Sequence, residues 1–274
     1  MADERVTVLL TGAAGLLGAW LRRTAPAAFD VIPATYRHPV SANDVVADLR
    51  NRAAVASALT RVEPDLVIHA AFARDRPSIV DATRNVVDLA HEVGAQVLFV
   101  SSEAVFAGDG FPRSETAPPD PVWDYGRWKA DAERIVLDRD ATAAVVRLPL
   151  IISVDPHDHV LTDILVGHER GSPTVWFSDE IRQPAHAEDL SRALWGIASL
   201  PIELRAGEWH LPGSERLSRF EIAERAVAVL GLDRSSIVAA DTPPEAHRPR
   251  DLNLTGARAE ALIGWSPSPV LPDR

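Results

Sequence analysis

Val6-Thr7-Val8-Leu9-Leu10-Thr11-Gly12-Ala13-Ala14-Gly15-Leu16-Leu17-Gly18 is the stretch on which the fold turns. Its first five residues form a short apolar, partly β-branched run that reads as a buried strand. A Gly-rich turn follows, and Leu16 to Thr24 reads as a helix. In such a strand–turn–helix, Gly12 takes the tight turn, Gly15 lets the backbone approach a pyrophosphate, and Gly18 lets helix pack close on strand. The N–H groups around Ala14, Gly15, Leu16 and Leu17 then face the phosphates and favour their charge. Glycine spacing alone is a common pattern. The strand before it, the helix after it and its place near the N-terminus make it the phosphate turn expected of a dinucleotide site.

Outward from this turn, strands and helices alternate. Val31 to Thr35, Leu66 to Ala70, Gln96 to Val100 and Ala144 to Leu148 read as strands. Asn51 to Val62, Ile79 to Val93 and Asp124 to Asp138 read as helices. That rhythm implies an α/β fold, a Rossmann-type doubly wound parallel sheet with helices on both faces. After Pro149 it breaks into short runs (Thr174 to Phe177, Trp209 to Leu211) and helices at Ala187 to Leu200 and Ser218 to Leu230, the last opened by a Ser218/Glu221 capping box. We expect residues 1–149 to form the NAD(P)-binding core. Residues 150–274 are expected to form mainly a small substrate lobe that wraps back onto it. Trp176, Trp195, Trp209 and Trp265 lie in this half and read as core or pocket wall.

Composition narrows the function classes. A net charge of −11 argues against a nucleic-acid partner. No cysteine is present, which excludes disulfides, thiolate metal sites and a Cys nucleophile and fits a reducing, cytoplasmic compartment. Met1-Ala2-Asp3-Glu4-Arg5 is acidic and lacks the shape of a signal peptide, and the apolar stretch from Val6 to Leu21 is too short and too rich in glycine to span a bilayer. The spacing of His157, His159 and His168 does not suit a metal, and Asp155, Asp158 and Asp163 do not match a calcium loop, so no metal is expected.

Tyr125-Gly126-Arg127-Trp128-Lys129 places Tyr and Lys on one helix face. A phenol with a pKa near 10 is a poor acid at neutrality, and a neighbouring ammonium is expected to lower that value and tune it for proton delivery. Lys129 can also hold a nicotinamide ribose. It is the only lysine in the chain, beside one of two tyrosines. Upstream, Ser101-Ser102-Glu103 ends a strand, and a serine there can polarise a substrate oxygen, Ser102 being the choice and Ser101 the fallback. For the cofactor, the second strand ends Ala34-Thr35-Tyr36-Arg37-His38 without the acid of a NAD-preferring site. Arg37 suits a 2′-phosphate, so NADP(H) is preferred with NAD(H) still allowed, although Arg37 also reads as a solvated loop charge. Asp48 and Leu49 fall near the adenine, and Asp48 equally reads as the cap of the helix at Asn51.

Together these residues resemble the extended short-chain dehydrogenases/reductases and, within them, the dTDP-4-dehydrorhamnose reductase (sugar-nucleotide-binding) family. The likeness spans most of the chain. Its most specific part is Val100-Ser101-Ser102-Glu103-Ala104-Val105-Phe106, then Gly108-Asp109-Gly110, Glu115, Pro118-Pro119 and Pro121, leading to Tyr125-Gly126-Arg127-x-Lys129 and Glu133. Arg182-Gln183-Pro184 and Arg248-Pro249-Arg250-Asp251 look like its substrate-lobe and C-terminal segments. The resemblance implies a Ser102/Tyr125/Lys129 triad and His69, Ala70 and Ala71 lining the cofactor. It further implies reduction of a keto group, most readily that of a 4-keto-6-deoxy sugar nucleotide, by NAD(P)H. Ser102, Glu103, Arg182 and Arg250 are the candidate substrate contacts, each Arg reading equally as a surface ion pair. Glu103-Ala104 stands where the family has Asp-Tyr, which removes a substrate-side group. Two other readings stay open: an epimerase or dehydratase that keeps its NAD(P), and a cofactor-binding regulatory subunit resembling that of methionine adenosyltransferase. The expected partner is a small molecule, a nucleotide sugar or related ketone, with no membrane and with a homodimer left open.

Overall fold

The computed structural model describes residues 5–271, so the acidic start of the chain, Met1 to Glu4, lies outside the described residues. Strand β1 (Val6–Thr11) leads through the Gly-rich turn into α1 (Leu16–Arg23). There follow β2 (Phe29–Thr35), β3 (Val45–Val46), α2 (Arg52–Val62), β4 (Leu66–His69), α3 (Ala82–Glu92), β5 (Gln96–Ser102), α4 (Asp124–Arg139) and β6 (Ala144–Leu148). Beyond Pro149 come β7 (Ile151–Ile152), α5 (His159–Glu169), β8 (Thr174–Phe177), β9 (Ile181–Arg182), β10 (Ala185–His186), α6 (Ala187–Ala198) and α7 (Ile202–Arg205). The chain closes with β11 (Gly207–His210), β12 (Leu217–Ser218), α8 (Arg219–Leu230), β13 (Ile237–Ala240) and α9 (Ala257–Ile263).

Seven strands form one parallel sheet in the order β11-β6-β5-β4-β1-β2-β3. The chain runs outward from β1 through β2 to β3, then returns to β4 on the other side of β1. The strand order therefore reverses between β1 and β4, and a crevice opens beyond the strands' C-terminal ends at such a switch point. Strand periodicity sorts the core into two layers. Val8, Leu10, Ile68, Leu98, Val100 and Val146 pack with Leu17 and Leu21 of α1 and Leu190, Leu194 and Trp195 of α6. Their neighbours Leu9, Val67, Val97, Phe99 and Val145 face the other way, onto Val55 and Leu59 of α2, Val86 and Val87 of α3, and Val136 of α4.

The elements differ from the sequence expectations mainly at their ends. Strand β5 runs two residues further than its apolar run, through Ser101 and Ser102, because both still pair with β6. One π-helical turn, Pro77–Asp81, precedes α3 where a single continuous helix was expected. The capping box of α8 is formed as expected, with Ser218 Oγ accepting from Glu221 N and Glu221 accepting from Ser218 N. All four tryptophans of the second half are buried. Three of them, Trp195, Trp209 and Trp265, lie in the same cluster as the sheet, because α6 and β11 complete the large sheet and its cover. A separate cluster around Ile152, Leu161, Ile164, Trp176 and Ile222 holds α5, β8 and α8 together.

Candidate active site

The glycine turn crosses the switch point. Gly12 has φ +73°, and a β-carbon there would lie 2.7 Å from the main chain of Ala70 and Ala71. A β-carbon on Gly18 would meet Gly12 O at 2.3 Å, so α1 seats directly on the turn. At Gly15 the added carbon would meet Gly12 O at 3.3 Å and nothing else nearer than van der Waals contact. Gly15 is the N-cap of α1, without a side-chain cap and with no acid in the first turn. The N–H groups of a helix start have no partners within the helix, and here no side chain caps them, so the turn fits a phosphate.

Beside it, at the end of β2, Arg37 lies over the Tyr36 ring at 4.6 Å and donates to the phenolic Oη of Tyr36 at 3.3 Å. Arg50 donates to the same oxygen at 3.0 Å and pairs with Asp48 at 2.7 Å. Asp48 does not cap α2, since Asn51 accepts from Ala53 N and Ala54 N and takes that place. Leu49 is fixed through its carbonyl, which accepts from the Asn85 side chain at 3.0 Å. His69 is fully enclosed. Its ring spans Thr11 Oγ1 at 2.8 Å and Thr83 Oγ1 at 3.1 Å, and burial pushes its pKa down to about 3. It braces β1 against α3 as a neutral imidazole, and among these three residues Ala70 and Ala71 are the ones beside the turn.

The ends of β5 and α4 bring the next residues together. Ser101 is buried and donates to Glu133, which also receives Arg147 through two nitrogens at 2.8–3.2 Å. Ser102 Oγ instead accepts from Ala104 N at 3.2 Å and faces the Tyr125 phenol closely enough to favour its ionised form. Gly126 makes this approach possible, since a β-carbon there would lie 2.1 Å from Ala104 O. Burial of its hydroxyl end, with the charge of Glu103, raises the Tyr125 pKa, opposed by the Ser102 hydroxyl and by the charge of Arg74. The sequence expectation of a phenol lowered by Lys129 is corrected here. Lys129 shares the helix face, but its Nζ turns onto the sheet, donates to Val100 O at 2.9 Å and sits 4.8 Å from the Phe99 ring. Burial pushes this ammonium down to about 8.

Glu103 points elsewhere. Its carboxyl is buried, with Oε1 3.7 Å from Arg182 Nε and Oε2 without a hydrogen-bond partner. Burial raises its pKa to about 7, against the pull of Arg182 and Arg219. Arg182 is buried too, its donors taken by Ile181 O, Pro249 O, Arg250 O and Glu180. Arg250 pairs with Asp179 and donates to two carbonyls. Both sequence candidates are thus engaged within the chain, and other arginines face open space. A cleft of about 500 Å³ is walled by Trp176 and Phe177 and carries Arg170, Arg219, Arg248 and Asp163. Arg248 joins it to the serine–tyrosine site, lying 5.8 Å from both the Phe177 and Trp123 rings, while Trp123 meets Tyr125 edge-on at 5.3 Å.

Arg50, Arg74 and Arg219 had no role in the sequence reading. Nothing local marks them, because each reaches the site only through tertiary packing. Among the described residues, no group of three or more His, Asp or Glu side chains could hold a metal, and no helix is long and apolar enough to cross a membrane.

The comparisons with known proteins agree with this fold. The β subunit of methionine adenosyltransferase 2 from Xenopus laevis is 29% identical over 263 residues, covering 89% of this chain and 78% of the relative. A probable low-salt glycan biosynthesis reductase, Agl14, from Haloferax volcanii is 26% identical over 291 residues, covering 96% and 94%. The fold is that of a dTDP-4-dehydrorhamnose reductase from Bacillus anthracis crystallised with NADP, with a TM-score of 0.81 and 21% identity over 97% of this chain and 95% of that one. The family model for the RmlD substrate binding domain matches residues 6–270, and the chain belongs to that family.

Proposed function

We propose that this protein is an NAD(P)H-dependent reductase of a keto group, acting on a 4-keto-6-deoxy sugar nucleotide. The observation that carries the proposal is the Ser102 hydroxyl set against the Tyr125 phenol at the C-terminal ends of the strands, the side on which the phosphate turn also lies. A reduced nicotinamide bound along that edge supplies the hydride. Ser102 and Tyr125 hold the carbonyl oxygen, and Tyr125 gives it a proton as the carbon is reduced, so ketone becomes alcohol. A phenol raised above its ordinary pKa stays protonated at neutrality, which suits donation. Lys129 uses one of its three donors on Val100 O and keeps two for the ribose. Gly12, Ala14, Gly15, Leu16 and Leu17 cradle the pyrophosphate, with Ala70 and Ala71 beside it.

The Tyr36 platform with Arg37 and Arg50 favours a 2′-phosphate and hence NADP(H). The substrate's nucleotide is assigned to the Trp176/Phe177 cleft, where a base stacks on an aromatic wall and the diphosphate meets Arg219 and Arg248. Residues 150–271 that build this cleft act as the substrate lobe. A solved structure of the same fold is a reductase in complex with NADP, which supports the cofactor class.

The test is stoichiometry. Incubated with NADPH and a dTDP-4-keto-6-deoxyhexose, the protein is expected to oxidise one NADPH per alcohol formed. Sugar isomerised without net NADPH loss contradicts the reductase reading and supports an epimerase. A second reading has its own observation: the 29% identity to a regulatory β subunit, together with Ala104 beside Ser102. It predicts no turnover and a stable complex with a methionine adenosyltransferase catalytic subunit.

A further inference from the structure

Glu103 stands at the junction of two sites and belongs fully to neither. It follows Ser102 directly, and its charge reaches Tyr125 on α4. On its other side it faces Arg182 of β9 and Arg219 at the start of α8, and the Leu150 main chain also favours its carboxylate. Arg182 shares the enclosed Glu180 carboxylate with Arg248, which contacts it at 2.9 Å. Arg219 and Arg248 open into the cleft. One chain of charges therefore runs from the cleft to the residue beside Ser102.

The three guanidiniums crowd one another. Burial and the charges of Arg182 and Arg248 together lower the Arg219 pKa to about 10, against the pull of Glu180 and Asp158. Arg219 also touches His159 Nε2 at 3.3 Å, and burial and Arg219 keep that imidazole's pKa low. An anion in the cleft relieves this crowding. It also cancels part of the positive field that holds Glu103 ionised.

We propose that the cleft binds a nucleoside diphosphate sugar with uptake of a proton by Glu103, so that ligand binding delivers a neutral carboxyl next to the Ser102–Tyr125 pair. The proposal rests on the substrate reading above and adds a linkage to it. The sign follows from the neighbours. Arg182 and Arg219 both favour the carboxylate, so a negative charge laid against Arg219 favours the acid. The buried, unpartnered Oε2 is the atom that gains, because a carboxylate oxygen without a donor is costly where a protonated one is not. As a neutral acid beside Ser102, Glu103 no longer opposes negative charge developing on the substrate oxygen. It acts here as a positioning residue, touching substrate only through this field.

The test uses dTDP-glucose, which carries the diphosphate but no ketone and no group of its own that titrates near neutrality. Calorimetric titrations in two buffers of different ionisation enthalpy read the proton directly. For a rise of half a unit in the Glu103 pKa, the wild type is expected to take up about 0.3 proton per ligand near pH 7. Its affinity is then about threefold weaker near pH 8.5 than near pH 6. Glu103→Gln is expected to bind with no buffer dependence and a flat pH profile. Arg219→Gln, the second variant, weakens binding and shrinks the uptake. Binding by wild type without proton uptake, or equal uptake in Glu103→Gln, overturns the linkage and leaves the cleft assignment standing. No binding of dTDP-glucose overturns both.

Discussion

The Tyr125 phenol sits with its hydroxyl end buried, beside the Ser102 hydroxyl and near the exposed Arg74. A protonated phenol donates readily and accepts poorly at neutrality, so the account predicts a direction. Ketone reduction holds its rate through neutral pH, whereas oxidation of the matching alcohol climbs as pH rises toward the raised Tyr125 pKa; equal pH profiles in the two directions contradict it. Ser102→Ala is expected to lower kcat by about 10²–10³-fold with little change in NADPH affinity, measured by turnover and by fluorescence titration. Glu103 sets a stability trend. Its folded pKa is raised to about 7, so its neutral form is the one the fold prefers, and stability declines as pH climbs from the unfolded value toward and past that point. The thermal midpoint of wild type relative to Glu103→Gln is expected to fall between about pH 5 and about pH 8, the difference isolating Glu103 from the other titrating groups. At this scale the sequence shows which residues meet and not how they point. Tyr125 and Ser102 were legible because a helical spacing and a strand end place them. The turn of Lys129 onto Val100 O was not, since it depends on the Phe99 and Phe72 rings that arrive from other elements.

Elements hold these residues at fixed spacing. Helix α4 lies so close to the turn after β5 that Gly126 has no room for a side chain, its virtual β-carbon falling 2.1 Å from Ala104 O. Gly126→Ala is therefore expected to push α4 outward, costing about 1–3 kcal/mol and separating Tyr125 from Ser102. Chemical denaturation reads the first effect and kcat the second; an alanine variant with unchanged stability and rate contradicts this packing. Strand and helix identities around the site were legible from apolar periodicity, and the Ser218/Glu221 cap from its own spacing. The extra length of β5 was not, because Ser101 and Ser102 pair with β6 despite their polar character. Nor was the π-helical turn before α3, which no composition signal announces.

Across the whole molecule, the two halves of the chain share one core. Trp195 of α6 donates its indole N–H to Leu21 O of α1 at 3.0 Å, and Trp209 of β11 is fully buried beside β6. A fragment ending at Pro149 lacks both, leaving one face of the sheet bare, and is expected to be insoluble or molten when expressed alone. The parallel alternation was legible in the sequence, while the return of β11 to the far edge of the sheet depends on a pairing some sixty residues distant from β6 (Trp209 with Val146). This shared core sets the phosphate turn, the serine–tyrosine pair and the arginine-lined cleft in one body, and the central claim is that they act together on a ketone. The most direct measurement is NADPH oxidation with a dTDP-4-keto-6-deoxyhexose by wild type and Tyr125→Phe, with NADPH binding measured on both. The account predicts turnover by wild type and a loss of at least about 10²-fold in the variant at unchanged NADPH affinity. Equal turnover by the two proteins, or NADPH binding without turnover by either, contradicts it.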